Sequence, residues 1–425
     1  MNSKQIEQLI KEEENNLNSF LHLTANENVI SDFVSQALSS TFSNRYHLGQ
    51  IDKFSDDDIT YSNGNIYKGI SAINKLERIT STILNNRLGG VDTDFRPLSG
   101  VHAMMCTILA ITEVNDYILT VDPATGGHFA TQNIIERTGR KALTVPLNRE
   151  TLSLDYDFIA KMKDREKIKM FYIDDSFAFQ PINFPLLKEI LGQNTIIVYD
   201  ASHPFGFIFA QQFMKPILEG CDILQANTHK IFPGPQKGII HFANKALASK
   251  VKEEIGKSLV SSQHSHHTLA LHLAILEMDE FCEAYTENII KNTRYLYNSL
   301  VEKGFSILEP FQKRELLTNQ LYIKVPDGQN IEEIAQRFYS NNISINIRRI
   351  FDQSFLRIGL QEVTRLGFNE KEMDELAIII EDVMFSRNKI NIRKSVENFE
   401  LQERKMLFCY QVSKFSEEQL LVEQI

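Results

Sequence analysis

Apolar positions in this chain recur with two periods, and the alternation between them outlines a fold. Tyr117–Val121, Lys169–Ile173, Thr195–Tyr199 and Gly238–Phe242 are short runs rich in β-branched and aromatic residues, and they read as strands. Met104–Ala110 and Pro185–Leu191 read as helices, as does Lys68–Leu84, where Ile70, Ile73, Leu76, Ile79 and Ile83 fall at helical spacing. Such alternation predicts βαβ units, an α/β fold and a mostly parallel sheet. Several runs end on a polar residue, as in Val198-Tyr199-Asp200. The carboxyl ends of parallel strands are where open α/β sheets place ligands.

Outside this stretch the pattern changes. Ile6–Phe20 predicts a charged amphipathic helix ahead of the globular body, and the Asp-rich segment Gly49–Gly69 predicts a loop. His272–Leu300 predicts one long helix. Gln320–Val325, Ile331–Tyr339, Leu356–Gly359 and Glu370–Phe385 then predict a smaller α+β region, and the charged tail after Arg387 predicts a further helix. The expected organisation is an N-terminal arm over 1–30, a large domain over 31–290 and a small domain over 291–425. Neither a repeat nor a low-complexity tract interrupts it.

Composition narrows the function classes. With 425 residues, 43% hydrophobic and 24% charged, the chain is of ordinary globular type and too long for one simple core. A net charge of -10 and a pI near 5.6 argue against a nucleic-acid partner, which needs a basic face. No apolar run approaches the roughly 20 residues of a membrane span. The first residues, Met-Asn-Ser-Lys-Gln-Ile-Glu, are polar and carry no signal-peptide pattern, so the expected location is the cytoplasm. Cys106, Cys221, Cys282 and Cys409 are widely separated and lack metal-ligand spacing, so buried reduced thiols and no metal are expected.

Four constellations carry candidate chemistry. In Asn227-Thr228-His229-Lys230, followed by Pro233-Gly234-Pro235-Gln236-Lys237-Gly238, a lysine stands on a stiff turn after a strand. There an amine can form an imine with a carbonyl partner such as pyridoxal phosphate. In Asp200-Ala201-Ser202-His203 a strand-end carboxylate can pair with a pyridinium nitrogen, with His203 near the ring oxygen or the imine. In Gly126-Gly127-His128 the glycines allow close backbone approach and the imidazole can lie across a planar ring. Ser99-Gly100, ahead of a helix, belongs with this third group and suits a phosphate. In Leu356-Arg357-Ile358-Gly359 a guanidinium can grip an α-carboxylate through two parallel hydrogen bonds. Each motif alone has an ordinary structural reading as a loop, cap or surface residue; their company gives them weight.

Taken in order, the motifs resemble the serine hydroxymethyltransferase family of pyridoxal-phosphate enzymes. Leu-Thr-Ala-Asn-Glu-Asn at 23–28, Ser99-Gly100, Gly126-Gly127-His128, Asp200 with His203, Thr228-His229-Lys230 and Arg357 with Thr364-Arg365-Leu366-Gly367-Phe368 keep the family's order over about residues 20–385. The resemblance implies an aspartate-aminotransferase-like (fold type I) structure: a mostly parallel seven-stranded sheet in the large domain and a smaller α+β C-terminal domain. It implies Lys230 as the Schiff-base lysine, Asp200 as partner of the pyridine nitrogen and His128 as the ring-stacking residue. Ser99, Gly100, Val101, Ser176, His203, Thr228 and His229 would complete the cofactor site. Asn26, Tyr46 and Arg357 would bind substrate, Tyr46 also serving catalysis. A homodimer with shared active sites, in which Tyr46 can come from the partner, is implied as well.

Departures from the family pattern point to a branch. Asn26 stands where the family has serine. Leu48 falls where hydroxymethyltransferases place a glutamate used for proton transfer and folate, and leucine can neither donate nor accept a proton. Gly234-Pro235-Gln236-Lys237-Gly238 replaces Gly-Pro-Arg-Gly-Gly, and Ser265-His266-His267-Thr268 lies near where a Gly-Gly-Pro stretch is expected. These features are similar to the L-threonine transaldolases, which share the motifs at 23–28, 126–130 and 227–238. The expected reaction cleaves threonine to acetaldehyde and adds the glycyl carbanion to a second aldehyde, with His128, His203 or a water as base. Serine hydroxymethyltransferase and threonine aldolase are the alternatives. A non-catalytic cofactor-binding scaffold is the rival from another class, and joint retention of Lys230, Asp200, His128 and Arg357 speaks against it.

Overall fold

The computed structural model describes residues 1–47, 59–62, 65–308, 318–385 and 390–411. Two units result. The larger holds Asn28–Asn148, Ser153–Glu283 and the segment from Phe408; the smaller holds Met1–Glu27, Arg149–Leu152 and Ala284–Leu407. The segment expected as an arm, 1–30, is thus divided between them after Glu27.

A seven-stranded sheet forms the centre of the larger unit. Its strands are β1 (Asp92–Asp94), β2 (Tyr117–Val121), β3 (Lys141–Val145), β4 (Ile168–Ile173), β5 (Ile196–Asp200), β6 (Ile223–His229) and β7 (Pro233–Phe242). They lie in the order β1-β7-β6-β5-β4-β2-β3. From β3 to β6 the pairings are parallel, whereas β7 runs antiparallel to β6 and β1 antiparallel to β7. The mostly parallel α/β architecture read from the apolar runs is present. Met170-Phe171-Tyr172-Ile173 is buried throughout, as a parallel strand covered on both faces must be. Helices α1 (Ser71–Leu88), α2 (Gly100–Ile111), α3 (Thr131–Arg137) and α4 (Phe184–Leu191) connect the strands, followed by the 38-residue α5 (Ser265–Glu302). Ala103, Met104, Cys106 and Ile108 of α2 form one core with Ile118, Met170 and Val198 of the sheet.

In the smaller unit β8 (Gln320–Lys324), β9 (Asn346–Ile350) and β10 (Gln353–Gly359) form an antiparallel sheet in the order β8-β10-β9. Leu321, Ile323, Leu356 and Ile358 pack against Ile334 and Phe338 of α6 (Ile331–Ser340) and Leu376 and Ile380 of α7 (Glu370–Phe385). The amphipathic N-terminal pattern forms the helix Ser3–Asn18, and Leu21–His22 pairs in parallel with Ile343–Ser344.

Two expectations change. Within the segment read as a loop, Ile59–Ser62 and Asn65–Lys68 pair as antiparallel strands. The sequence carries that signal in Asn63-Gly64, a favoured hairpin pair between two β-rich runs. In the tail the helix covers only Ile392–Glu397, and residues beyond 411 lie outside the described residues, as do Leu48 and 50–58. No described helix is long and apolar enough to cross a membrane. All four cysteines are buried and unpaired with one another. Burial pushes the Cys106 thiol up to about 12 and that of Cys282 up to about 11.

Candidate active site

Parallel pairing brings the carboxyl ends of β2, β4, β5 and β6 to one edge of the larger sheet. Lys230 follows β6 directly, where the chain reverses into β7. Thr228 Oγ1 donates to Pro235 O (2.6 Å) across the reversal. A Cβ at Gly234 would come within 2.7 Å of Thr228 O, so the turn requires glycine there. The Lys230 carbonyl accepts from Asn28 Nδ2 (2.6 Å), and its half-buried Nζ lies 3.0 Å from His203 Nε2. His229, next along, is pushed down to about 4 by burial and by the charge of Lys230, so its imidazole is neutral at pH 7.

Asp200 ends β5. Its Oδ1 accepts from the Ser202 N–H (2.9 Å) and its Oδ2 from Tyr172 Oη (2.9 Å). Tyr172 Oη in turn accepts from Gln225 Nε2 of β6. Ser202 Oγ accepts from the Asn227 N–H (2.9 Å), locking the turn that carries His203 to the strand that carries Lys230. Asp174, just beyond β4, accepts from the His128 N–H (3.1 Å) and from the Thr131 hydroxyl. The His128 ring packs on Phe129, with 4.6 Å between centres. Ser176 Oγ donates to Gly126 O (2.6 Å), closing the same turn.

The third part is an anion cradle. Ser99 caps α2, its Oγ accepting from the His102 N–H (3.1 Å). Gly100 and Val101 then present first-turn N–H groups that no helical carbonyl can reach. A Cβ at Gly100 would stand 3.1 Å from Asn227 Cβ and 3.5 Å from Ser202 Oγ, so the cradle is seated against the Asp200 and Lys230 segments. Lys237 braces it from behind. It is 1% exposed, and its Nζ donates to Pro97 O (3.2 Å), Arg96 O (3.4 Å) and Gln263 O (3.1 Å).

These groups fit pyridoxal phosphate: helix N–H groups for the phosphate, a carboxylate for the ring nitrogen, an imidazole for the ring face and a primary amine for the aldehyde. Among the described residues no group of three His, Cys, Asp or Glu side chains is arranged to hold a metal.

Arg357 and Asn26 belong to the smaller unit and meet there. The Arg357 guanidinium is 4% exposed, and its Nη2 donates to Asn26 Oδ1 and to Asn346 Oδ1 (2.8 Å each). Its Nε is buried without a hydrogen-bond acceptor among the described residues, a vacancy that a carboxylate oxygen fills well. A cavity of about 390 Å³ opens there, lined by Asn26, Asn346, Arg348 and Arg357 together with Ile345 and Ile347.

The hydrogen bonds among the β5, β6 and α2 segments therefore bring Lys230, His203, Asp200, Ser99 and Gly100 together. Thr228 lies beneath the turn, with its hydroxyl directed to backbone. Val101 is 40% exposed, and Tyr46 stands at the surface, 55% exposed. Sequence reasoning missed Tyr172, Asp174, Gln225 and the burial of Lys237. Asp174 carried a readable signal, because the run ending at Ile173 is followed by an acidic residue as the run before Asp200 is.

The serine hydroxymethyltransferase profile matches residues 1–380. Serine hydroxymethyltransferase from Methanobrevibacter smithii is 32% identical over 411 residues, covering 93% of each chain. Fluorothreonine transaldolase from Streptantibioticus cattleyicolor is 32% identical over 387 residues, 90% of this chain; the chain spans 60% of that longer protein. The crystal structure of L-threonine transaldolase from Pseudomonas fluorescens in its internal aldimine state superposes with a TM-score of 0.84 at 25% identity, covering 94% of this chain and 91% of that one. The chain belongs to the serine hydroxymethyltransferase family and is a pyridoxal-phosphate-dependent transferase of fold type I.

Proposed function

We propose that this enzyme is an L-threonine transaldolase. Threonine and a second aldehyde are exchanged for acetaldehyde and a new β-hydroxy-α-amino acid, so atoms balance without an external oxidant or reductant. The observation that carries the reading is Leu48, an aliphatic side chain where folate-dependent members place a proton-transferring glutamate. Two relatives named as transaldolases support it.

Pyridoxal phosphate, when bound, supplies the electron sink that makes cleavage of the Cα–Cβ bond accessible. Lys230 provides the amine that carries it, and the Ser99, Gly100 and Val101 segment holds its phosphate. Asp200 keeps a proton on its ring nitrogen, while His128 and Ser176 shape its ring site. His203, 3.0 Å from Lys230 Nζ, is placed to exchange a proton with that amine. Arg357, with Asn26 as its brace, grips the α-carboxylate of the substrate. Tyr46 completes the site from a partner chain in a homodimer, and the enzyme works in the cytoplasm.

Acetaldehyde release from threonine, screened across added aldehydes, tests this reading. The expected result is release that rises with the acceptor and a coupled β-hydroxy-α-amino acid product. Rapid tetrahydrofolate-dependent turnover of serine would overturn it in favour of hydroxymethyltransferase activity, the reading that the equally similar archaeal relative favours. Glycine accumulating whatever aldehyde is added would mark a threonine aldolase. Sedimentation of the holoenzyme as a monomer would remove the shared site.

A further inference from the structure

Asp174 is the least expected group beside the site. It is 4% exposed, yet four donors converge on it: Thr120 Oγ1 (3.2 Å) and the Val121 N–H (3.4 Å) on Oδ1, the His128 N–H (3.1 Å) and the Thr131 hydroxyl on Oδ2. One carboxylate thus ties the end of β2 to the turn carrying His128 and to the first residue of α3. Backbone N–H groups can only donate, so this environment suits an acceptor on both oxygens, the ionised form. Against ionisation stand burial and the charge of Asp200 on the neighbouring strand.

We propose that Asp174 is a positioning residue of the reaction, one that fixes the backbone of His128 and sets by its charge how tightly the Asp200 side of the site holds a proton. This deepens the cofactor reading and rests on it. The titratable groups around it are Asp200 at the end of β5, Tyr172 on β4, His128 on the turn and Asp175 next along the chain. Thr107 of α2 and Gln225 of β6, hydrogen-bonded to one another behind Tyr172, are neutral. Burial first, opposed by the Thr131 hydrogen bond and reinforced by Asp200, pushes the Asp174 carboxyl up to about 7. Its charge therefore changes around neutral pH. Tyr172 touches the same site from β4, its hydroxyl donating to Asp200 Oδ2 (2.9 Å).

The test is a pH titration of the visible cofactor band of the holoenzyme. In Asp174→Asn a negative charge is lost beside Asp200, so the midpoint should fall by roughly 0.5–1 pH unit. Tyr172→Phe removes a donor and leaves Asp174 in place, so its midpoint should rise. The threonine kcat of Asp174→Asn should fall about tenfold with little change in KM. A purely structural Asp174 predicts lower thermal stability with an unmoved midpoint, and that result would overturn the proposal. If Asp174→Asn does not accumulate, Thr131→Val, which removes one donor to Asp174 and leaves Asp200 untouched, decides: an unshifted midpoint overturns it. A visible band that persists in Lys230→Ala would instead overturn the cofactor assignment, so the two failures are distinguishable.

Discussion

Lys230 and Lys237 stand on the same β6–β7 hairpin in opposite circumstances. Lys237 is fully buried, and all three of its N–H donors are directed at backbone carbonyls. Burial pushes its ammonium down to about 7, so its protonation state alone would mark it as the reactive lysine. Lys230 is half-buried at a strand end, its carbonyl held by Asn28 and its amine beside His203. A lysine becomes a nucleophile through access and a free direction of approach as well as through a lowered pKa. Lys237 has the depressed pKa and no access. Its three bonds join the segment before α2 to the loop at Gln263, which is a structural task.

The contrast can be broken at either lysine. Lys230→Ala should abolish both the visible cofactor absorbance and threonine turnover; a retained band would move the catalytic role elsewhere, with Lys237 the first suspect. Lys237→Met should keep the band in the cold but lower unfolding free energy by about 3 kcal/mol, because buried carbonyls lose their donor. Denaturant midpoints measure it, and a stable variant without the band would reverse the two roles. His203→Phe keeps a flat ring beside Lys230 Nζ but removes the proton carrier, so kcat should drop roughly 100-fold with the band present; undiminished turnover would leave Lys230 without its neighbour's help.

The smallest effect is a pH dependence. The folded Lys237 loses its proton near 7, whereas an unfolded lysine holds it to its ordinary value of 10.5. Between those values the unfolded chain binds more protons, so stability gains with rising pH, by at most about 1.4 kcal/mol per pH unit. The gap in denaturant midpoint between the parent and Lys237→Met should therefore widen from pH 7 to 9. A constant gap would mean that Lys237 keeps its charge throughout.

What could be read from the chain follows a physical divide. Runs that are almost wholly apolar, such as Met170–Ile173, announced their strands, and motifs of fixed order singled out Lys230, Asp200 and His128. β6 reads only as a strand of unstated bounds ahead of Lys230, because Ile223-Leu224-Gln225-Ala226-Asn227-Thr228-His229 carries polar side chains that look exposed. Gln225 and Thr228 are instead buried, satisfied by Tyr172, Thr107 and Pro235, and those partners are distant in sequence. Lys237 misled in the same way, since a charged residue in a Pro/Gly stretch reads as solvated. Asn28 and Lys230 are joined across 202 positions, a contact that no local pattern announces.

The four cysteines bear on how the protein withstands electrophiles and air. Aldehydes add to thiolates, and thiolates oxidise in air. Cys106, Cys221, Cys282 and Cys409 are all buried, and those at 106 and 282 have thiols raised to about 12 and about 11, leaving almost no thiolate at neutral pH. If the proposed aldehyde exchange is the reaction, the thiols are withdrawn from the acceptor and surface amines are the more accessible nucleophiles.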